Sequence, residues 1–209
     1  MIAAVPAAFG TRVRGSSPAR LVVSKKNGPY RTVQEAIDAV PRGNQRVCTI
    51  EVRKGTYVER VTVPRDKRFI RLVGEDPQST VLTYNLSTAT TAETRYTPSA
   101  YVFADDFQAE NITFANTYGV GSQAVALFVG ADRAVFRGCR FLGWQDTLYV
   151  NGPGCHFVPQ PLAQTDASNC AAGRHYFEKC YIEGHVDFIF GDAAAVFHDC
   201  QIHSKARDT

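Results

Sequence analysis

One short pattern recurs along the second half of this chain and limits the folds that the chain can adopt. An aromatic residue is followed, after a short gap, by Cys or Asn and then by an apolar residue two positions later. The copies lie at residues 107–114, 136–141, 177–182 and 197–202. Once a loop of about 20 residues is removed from the second interval, between the copies at 136–141 and 177–182, the repeat is about 20 residues long. This period predicts a solenoid of stacked coils.

The segments between the copies have the composition of short strands. Runs of β-prone residues alternate with Gly and Pro along most of the chain. One helix is predicted over residues 32–40, where Thr32 and Glu35 form a capping box and Pro41 ends the helix. We therefore predict an all-β parallel β-helix whose single short α-helix caps the N-terminal end of the stack.

Cysteines occupy matching places in the repeats. Equivalent residues of successive coils lie about 4.8 Å apart, so the pattern predicts an interior ladder. Its predicted members are Asn111, Cys139, Cys180 and Cys200. We expect packing to explain this ladder, and the alternative is a disulfide within it. Cys48, inside a strand-like run, is expected to be a small buried apolar residue.

Composition excludes several classes of function. The net charge is +3, and the Lys and Arg residues are scattered rather than gathered into the basic stripe that nucleic-acid binding requires. No run of 18 apolar residues occurs, so no membrane span is expected.

Residues 1–19 are predicted to be a disordered tail or the remnant of a signal peptide, and residues 20–209 to form the folded domain.

Two aspartates occupy equivalent positions in two similar pentapeptides, at residues 145–149 and 186–190. If the coils stack, Asp146 and Asp187 become neighbours, and one carboxyl should then have a raised pKa. Such a pair suits ester hydrolysis, in which one carboxylate attacks the carbonyl and the other protonates the leaving alkoxide. On the residues alone, the alternative that both aspartates only end strands and cap turns stays open.

Amide and aromatic side chains accompany this pair. Aligning residues 123–127 with the two pentapeptides puts Gln123, Gln145 and Val186 in one column and Ala124 in the column of the aspartates. The two glutamine amides could stabilise a developing oxyanion. Sugar rings pack on aromatic side chains, and four of these are predicted to surround the pair: Trp144, Tyr149, Phe188 and Phe190.

Six motifs carry a resemblance to the pectin methylesterases, a family of carbohydrate esterases. They lie at residues 30–37, 54–59, 111–116, 123–127, 143–148 and 186–191, and the similar region runs from residue 27 to about residue 207. The resemblance implies a right-handed parallel β-helix that hydrolyses C6 methyl esters of galacturonate in pectin (homogalacturonan). It also implies a secreted monomer of the cell wall, extracellular space or periplasm, without a metal or organic cofactor.

The resemblance also implies residue roles. Asp187 would be the nucleophile, and Asp146 the acid that protonates methanol and later the base that activates water. Gln123 and Gln145 would form the oxyanion site, while Tyr149 would line the sugar groove together with Phe190.

One part of the family pattern is missing. Family members carry a downstream Leu-Gly-Arg-Pro-Trp segment, and this chain has none before Thr209. We therefore expect a partial sequence of a longer enzyme that is weakly active or inactive by itself. The alternative is a non-catalytic β-helix that binds pectin-like polymers. A polysaccharide lyase is disfavoured because no carboxylate cluster suitable for calcium is visible, while hydrolysis of another ester stays open.

An insertion over residues 151–173 separates the two aspartates and should project beside the groove. Cys155 and Cys170 are predicted to form a disulfide across it. Free thiols are one alternative, and a zinc site that also uses His156 and His175 is the other, although the spacing fits no standard zinc motif.

Overall fold

The computed structural model describes residues 20–154 and 170–206, which form 18 strands and two short α-helices. The helices are α1 Val33–Ala39 and α2 Thr88–Thr91, and a 3₁₀ turn covers Thr94–Tyr96. The strands are β1 Arg20–Val23, β2 Cys48–Val52, β3 Gly55–Val58, β4 Val61–Val63, β5 Ile70–Gly74, β6 Thr80–Tyr84, β7 Ala100–Val102, β8 Gln108–Glu110, β9 Thr113–Asn116, β10 Leu127–Gly130, β11 Ala134–Arg137, β12 Arg140–Leu142, β13 Leu148–Asn151, β14 Arg174–Glu178, β15 Tyr181–Gly184, β16 Ile189–Gly191, β17 Ala194–His198 and β18 Gln201–Ser204.

The strands form three parallel sheets, and each sheet takes one strand from each coil that it crosses. Their orders are β1-β2-β5-β8-β11-β14-β17, β3-β6-β9-β12-β15-β18 and β4-β7-β10-β13-β16. Five coils of three strands run from β2 to β16, and β17 with β18 begins a sixth. We number these coils first to sixth. This connectivity is a parallel β-helix, which confirms the predicted architecture. The prediction of a single α-helix is wrong, because α2 is a second helix, only one turn long and in a polar run without an apolar face.

Helix α1 lies at the start of the stack, as predicted. The Thr32 side chain accepts a hydrogen bond from the Glu35 amide, and the Glu35 side chain accepts one from the Thr32 amide, which completes the capping box. The apolar face, including Ile37, is fully buried. The helix packs against β1, β2 and β4, so it covers the apolar end of the first coil.

Aromatic rings stack through the interior of the coils. The ring of Phe177 lies 4.9 Å from Phe136 on one side and 4.9 Å from Phe197 on the other, and the rings of both pairs are nearly parallel. Phe136 also contacts Phe107 at 5.9 Å. Such contacts add about 0.5–1.5 kcal/mol per pair to the effect of burial. The repeated aromatic residue of the sequence pattern therefore holds neighbouring coils together.

The interior cysteine ladder is confirmed for three of its four predicted members. Cys139, Cys180 and Cys200 carry free thiols, so the alternative of a disulfide within the ladder is wrong. Burial raises the pKa of the Cys139 thiol, which favours its neutral form. The predicted place of Asn111 is wrong because the backbone register puts Ile112 beside Cys139.

Asn111 belongs instead to a column of turn residues. Its members share a left-handed backbone with φ between 52° and 56°: Asn111, Gly138, Lys179 and Asp199. Asn and Gly enter this region at lower cost than most residues. Phe136 pairs with Ala109 rather than with Phe107. Phe107 therefore precedes the interior position of Ile112 by five residues, whereas Phe136 precedes Cys139 by three.

Several predictions concern residues that the structure does not describe. The tail over residues 1–19 lies outside the described part, as do Cys155 and His156 in the predicted loop. Cys170 is disulfide-bonded, which contradicts a free thiol or a zinc ligand at this position. Its pairing with Cys155 stays a prediction. In the two described ranges, no helix combines the length and apolar character needed to cross a membrane.

The aromatic stack should dominate the stability of the coils. Replacing Phe136, which is fully buried, with Ala should lower the free energy of unfolding by about 3–5 kcal/mol, because it leaves a cavity between two rings. Val58→Ala is the control, since Val58 is 66% exposed and should change stability by less than about 0.5 kcal/mol. Urea denaturation measures both values, and equal losses would contradict the role of the stack.

Candidate functional site

Asp146 and Asp187 occupy the same turn of adjacent coils. Asp146 lies between β12 and β13, and Asp187 lies between β15 and β16. Strand β13 pairs with β16 so that Leu148 faces Ile189, and the Asp146 amide donates to the Val186 carbonyl over 3.1 Å. The predicted register is therefore confirmed, and the two aspartates are neighbours although they lie 41 positions apart in the sequence.

Both aspartates have a left-handed backbone. The φ angle is 65° for Asp146 and 47° for Asp187. A non-glycine residue in this region persists where the surrounding structure fixes it. Here the backbone on each side is tied to the next coil: the His185 amide donates to the Trp144 carbonyl, and the Leu148 amide to the Phe188 carbonyl, both over 2.9 Å.

The two carboxyl groups have different surroundings. Asp146 is 6% exposed, and burial, followed by the charge of Asp187, raises its pKa to about 7. Asp187 is exposed to solvent, so water can solvate its carboxylate. Near neutrality Asp146 can therefore still carry a proton, and it lies beside the solvent-exposed carboxyl group of Asp187. The expectation of one raised pKa is therefore supported, and it falls on Asp146.

Gln123 and Gln145 form a parallel bridge next to the aspartates, which confirms their predicted column. The side chain of Gln123 is also fixed, because its Oε1 accepts a hydrogen bond of 2.6 Å from the Thr88 hydroxyl. This contact leaves the Gln123 NH₂ group as a donor for a ligand.

The alignment of the third coil was one residue wrong beyond this bridge. It placed Leu127 beside Tyr149, whereas Leu127 pairs with Leu148. The third coil therefore has one more residue between its glutamine and its strand than the fourth coil has. An extra residue of this kind changes the direction of a side chain without breaking the sheet, and neither propensity nor hydrophobic pattern predicts it.

Thr88 holds Gln123 in place, and the sequence analysis did not predict this contact. Besides its contact with the Gln123 side chain, Thr88 donates its amide to the Gln123 carbonyl over 3.0 Å. Its hydroxyl also lies 2.6 Å from that of Ser122. Thr88 begins helix α2 in the second coil. The only signal in the sequence is a polar, threonine-rich run between two strands.

A cleft of about 280 Å³ opens beside Asp146. Its lining consists of Glu93, Thr94, Arg95, Asp146, Tyr149 and Phe190. The rings of Tyr149 and Phe190 stack with centroids 4.1 Å apart. Both rings pack against a second, smaller apolar cluster, in which Phe128 contacts Tyr149 edge to face at 4.9 Å. The arrangement gives the acid an apolar, flat surface at its side. The first three lining residues were not predicted.

Trp144 and Phe188 are not among the residues that line the cleft. The Trp144 ring contacts His185 at 5.7 Å and lies 4.1 Å from the Lys205 ammonium. Phe188 packs against the interior core. Their predicted contacts with sugar stay predictions.

Metal ligands are not grouped in the described ranges. Across residues 20–154 and 170–206, no set of three or more His, Cys, Asp or Glu side chains is placed to hold a metal ion. Two carboxyl groups beside amide donors can support acid–base and nucleophilic catalysis.

Comparison with known proteins relates this geometry to a family. The family model described as Pectinesterase matches residues 20–158 and 155–208. Pectinesterase 31 of Arabidopsis thaliana is 42% identical over 193 residues, which cover 87% of this chain and 54% of that protein. The chain thus spans about half the length of this relative. It spans 29% of the length of Pectinesterase 4 of Arabidopsis thaliana, with which it is 38% identical over 197 residues.

Solved structures agree with this relationship. A pectin methylesterase from carrot superimposes with a TM-score of 0.77 at 34% identity, covering 94% of this chain and 55% of that one. A pectin methylesterase in complex with a hexasaccharide gives a TM-score of 0.75 at 29% identity, with coverages of 92% and 57%. The fold is the right-handed parallel β-helix of these proteins.

The raised pKa of Asp146 predicts how stability depends on pH. The native state binds this proton more tightly than the unfolded state, whose Asp pKa is about 3.9, so this contribution to stability is lost as the pH rises from about 4 through about 7. Asp146→Asn should avoid the loss. At pH 8 the variant should exceed the original protein by up to about 4 kcal/mol, since one pKa unit corresponds to about 1.4 kcal/mol.

Denaturation curves at pH 4, 6 and 8 measure this difference. Asp66→Asn provides the matched control because the Asp66 side chain is 42% exposed and its ion pair is with Arg42 rather than with a histidine, and its curves should follow those of the original protein. Parallel pH profiles for Asp146→Asn and the original protein would contradict the burial of a protonated carboxyl at this site.

Proposed function

Because this chain belongs to the pectinesterase family, we propose that its two-aspartate site hydrolyses the C6 methyl esters of galacturonate in pectin. One observation carries the proposal: a buried carboxyl with a pKa of about 7 lies next to an exposed carboxylate, beside two bridged glutamines. An ester hydrolase needs these three functions, which are a proton donor, a nucleophile and an oxyanion site.

The first half of the reaction releases methanol. A carboxylate oxygen of Asp187 attacks the ester carbonyl carbon, and the carbonyl oxygen becomes an oxyanion near the amide groups of Gln123 and Gln145. As the carbon–methoxy bond breaks, Asp146 donates its proton to the methoxy oxygen. The products are methanol and an acyl-enzyme, a mixed anhydride on Asp187. The raised pKa of Asp146 supports this role, because the proton is present near neutrality.

The second half restores the enzyme. Asp146, now a carboxylate, takes a proton from water while the water oxygen attacks the acyl carbon. Cleavage of the anhydride then returns the carboxylate of Asp187 and releases the free acid of the galacturonate unit. The same buried group thus serves first as acid and then as base, so its pKa should lie near the working pH.

The cleft beside Asp146 supports a sugar polymer as the substrate. The stacked rings of Tyr149 and Phe190 provide a flat apolar surface for the C–H face of a sugar. A structurally similar pectin methylesterase binds a hexasaccharide. We propose that Tyr149 and Phe190 contact the galacturonate units next to the reacting ester.

We further propose that the protein is secreted and acts on cell-wall pectin. Cys170 is disulfide-bonded, and disulfides persist mainly in oxidising compartments. The monomeric state implied by the resemblance stays a prediction.

Each aspartate should be indispensable for turnover. Asp187→Asn and Asp146→Asn should each lower methanol release from methyl-esterified pectin by about 10³-fold or more, because the first removes the nucleophile and the second the transferable proton. Methanol is measured with this chain and with a hybrid in which the part of the carrot enzyme beyond the matched region follows residue 206. Asp199→Asn, on an exposed turn, should keep full activity.

The test also separates an enzyme from a binding protein. Folded chain and folded hybrid that bind pectin yet release no methanol would overturn the proposal in favour of a non-catalytic pectin-binding β-helix. Activity that survives in either aspartate variant would remove that residue from its role.

A further inference from the structure

Lys205, immediately after β18 in the sixth coil, reaches the turn that leads to Asp146 in the fourth coil. Its Nζ donates a hydrogen bond of 2.8 Å to the Gly143 carbonyl and lies 4.1 Å from the centre of the Trp144 ring. It also forms an ion pair of 2.5 Å with Glu183. The side chains of Lys205 and Glu183 are only 17% and 19% exposed, so these contacts are largely shielded from water.

The stacking of the coils brings these groups together. Strand β12 pairs Leu142 with Glu183, and β15 pairs Gly184 with Ser204. Trp144, His185 and Lys205 therefore follow one another in a single column. The Lys205 amide donates to the Gly184 carbonyl over 2.6 Å, which fixes the base of the side chain. From there the ammonium extends past the fifth coil to the fourth.

The turn that Lys205 contacts is closely packed. A Cβ atom on Gly143 would lie 2.6 Å from the Thr147 hydroxyl, and one on Gly184 would lie 2.5 Å from the Trp144 carbonyl. Gly143 and Gly184 thus allow the two turns to approach each other closely. Neither residue has a side chain that could hold the Gly143–Trp144 turn in place. Contacts from another coil must do so, and the Lys205 ammonium supplies two of them, one to a carbonyl and one to an aromatic ring.

We propose that Lys205 is a positioning residue that holds the Gly143–Trp144 turn, so that Gln145 and Asp146 stay in place opposite the fifth coil. Trp144 is directly followed by Gln145 and then Asp146, so a movement of the turn displaces both groups. A shift of about 1 Å can lower a rate by about 10²-fold. The catalytic consequence rests on the proposed function, whereas the positioning itself does not.

The sole tryptophan makes the positioning measurable without any activity. Trp144 is the only Trp in the chain, so its fluorescence reports directly on the cation over its ring. Lys205→Met keeps most of the apolar stem and removes the charge and the hydrogen bond. It should shift the emission maximum of the 209-residue chain and move the midpoint of the Asp146 titration, followed by NMR, towards the ordinary carboxyl range as the turn loosens. Lys205→Arg should largely restore both values.

A second lysine provides the matched control. Lys67 is 7% exposed, and its Nζ donates to the carbonyls of Ile37 and Asp38 at the end of helix α1. Lys67→Met therefore removes a buried ammonium with a comparable structural role, far along the stack from the site. It should lower the melting temperature while leaving the Trp144 emission and the Asp146 midpoint unchanged.

The outcomes distinguish positioning from general stability. Lys205→Met could instead behave like Lys67→Met, lowering the melting temperature without changing the Trp144 emission or the Asp146 midpoint. That result would overturn the proposal. In the active hybrid, Lys205→Met should lower kcat by about 10-fold or more and change KM less than about twofold, because the turn holds the reacting groups rather than the polymer. A shifted Asp146 midpoint in a protein that releases no methanol would leave the positioning intact and count against the proposed function alone. Altered emission with an unchanged midpoint would show only the loss of the cation and overturn the positioning.

Discussion

The parallel hydrogen bonds between successive coils are the constraint on which the rest of this structure depends. They fix the neighbour of every residue at about 4.8 Å, whatever its distance along the chain. The pairing of β13 with β16 makes neighbours of Asp146 and Asp187, which no local interaction could bring together. The same pairing stacks Tyr149 on Phe190. One backbone register therefore sets the carboxyl pair and its aromatic wall at once.

Packing of apolar side chains inside the coils maintains this register. The two aspartates lie at the edge of that interior. Phe136 and Phe177 stack inside the coils at 4.9 Å and contribute burial and ring contacts. Asp146 has the opposite effect, because a buried carboxyl without a cationic partner favours its neutral form. The fold can tolerate that group because the turn around it is tied to the next coil through backbone bonds that do not depend on its charge.

The position of a residue could be predicted from the sequence where two repeats have the same length, because their alignment then gives the register between coils. Asp146 and Asp187 head equal-length segments, and so their adjacency followed from alignment. Asn111 was misplaced because it follows Phe107 at nearly the spacing at which Cys follows the aromatic residue in the other copies, although the tolerance of Asn for positive φ marks a turn. The support from Thr88 could not be predicted, since its contact with Gln123 depends on how an irregular segment folds back across two coils.

The site is consequently a property of several coils rather than of one. Thr88 in the second coil fixes Gln123 in the third, Asp146 in the fourth faces Asp187 in the fifth, and Lys205 in the sixth reaches back to the turn before Asp146. In a solenoid, each coil is stabilised mainly by its neighbours. Loss of order in any one of these five coils would therefore disturb the reacting groups through an adjacent turn. The position of Asp146 therefore depends on coils on both sides of its own.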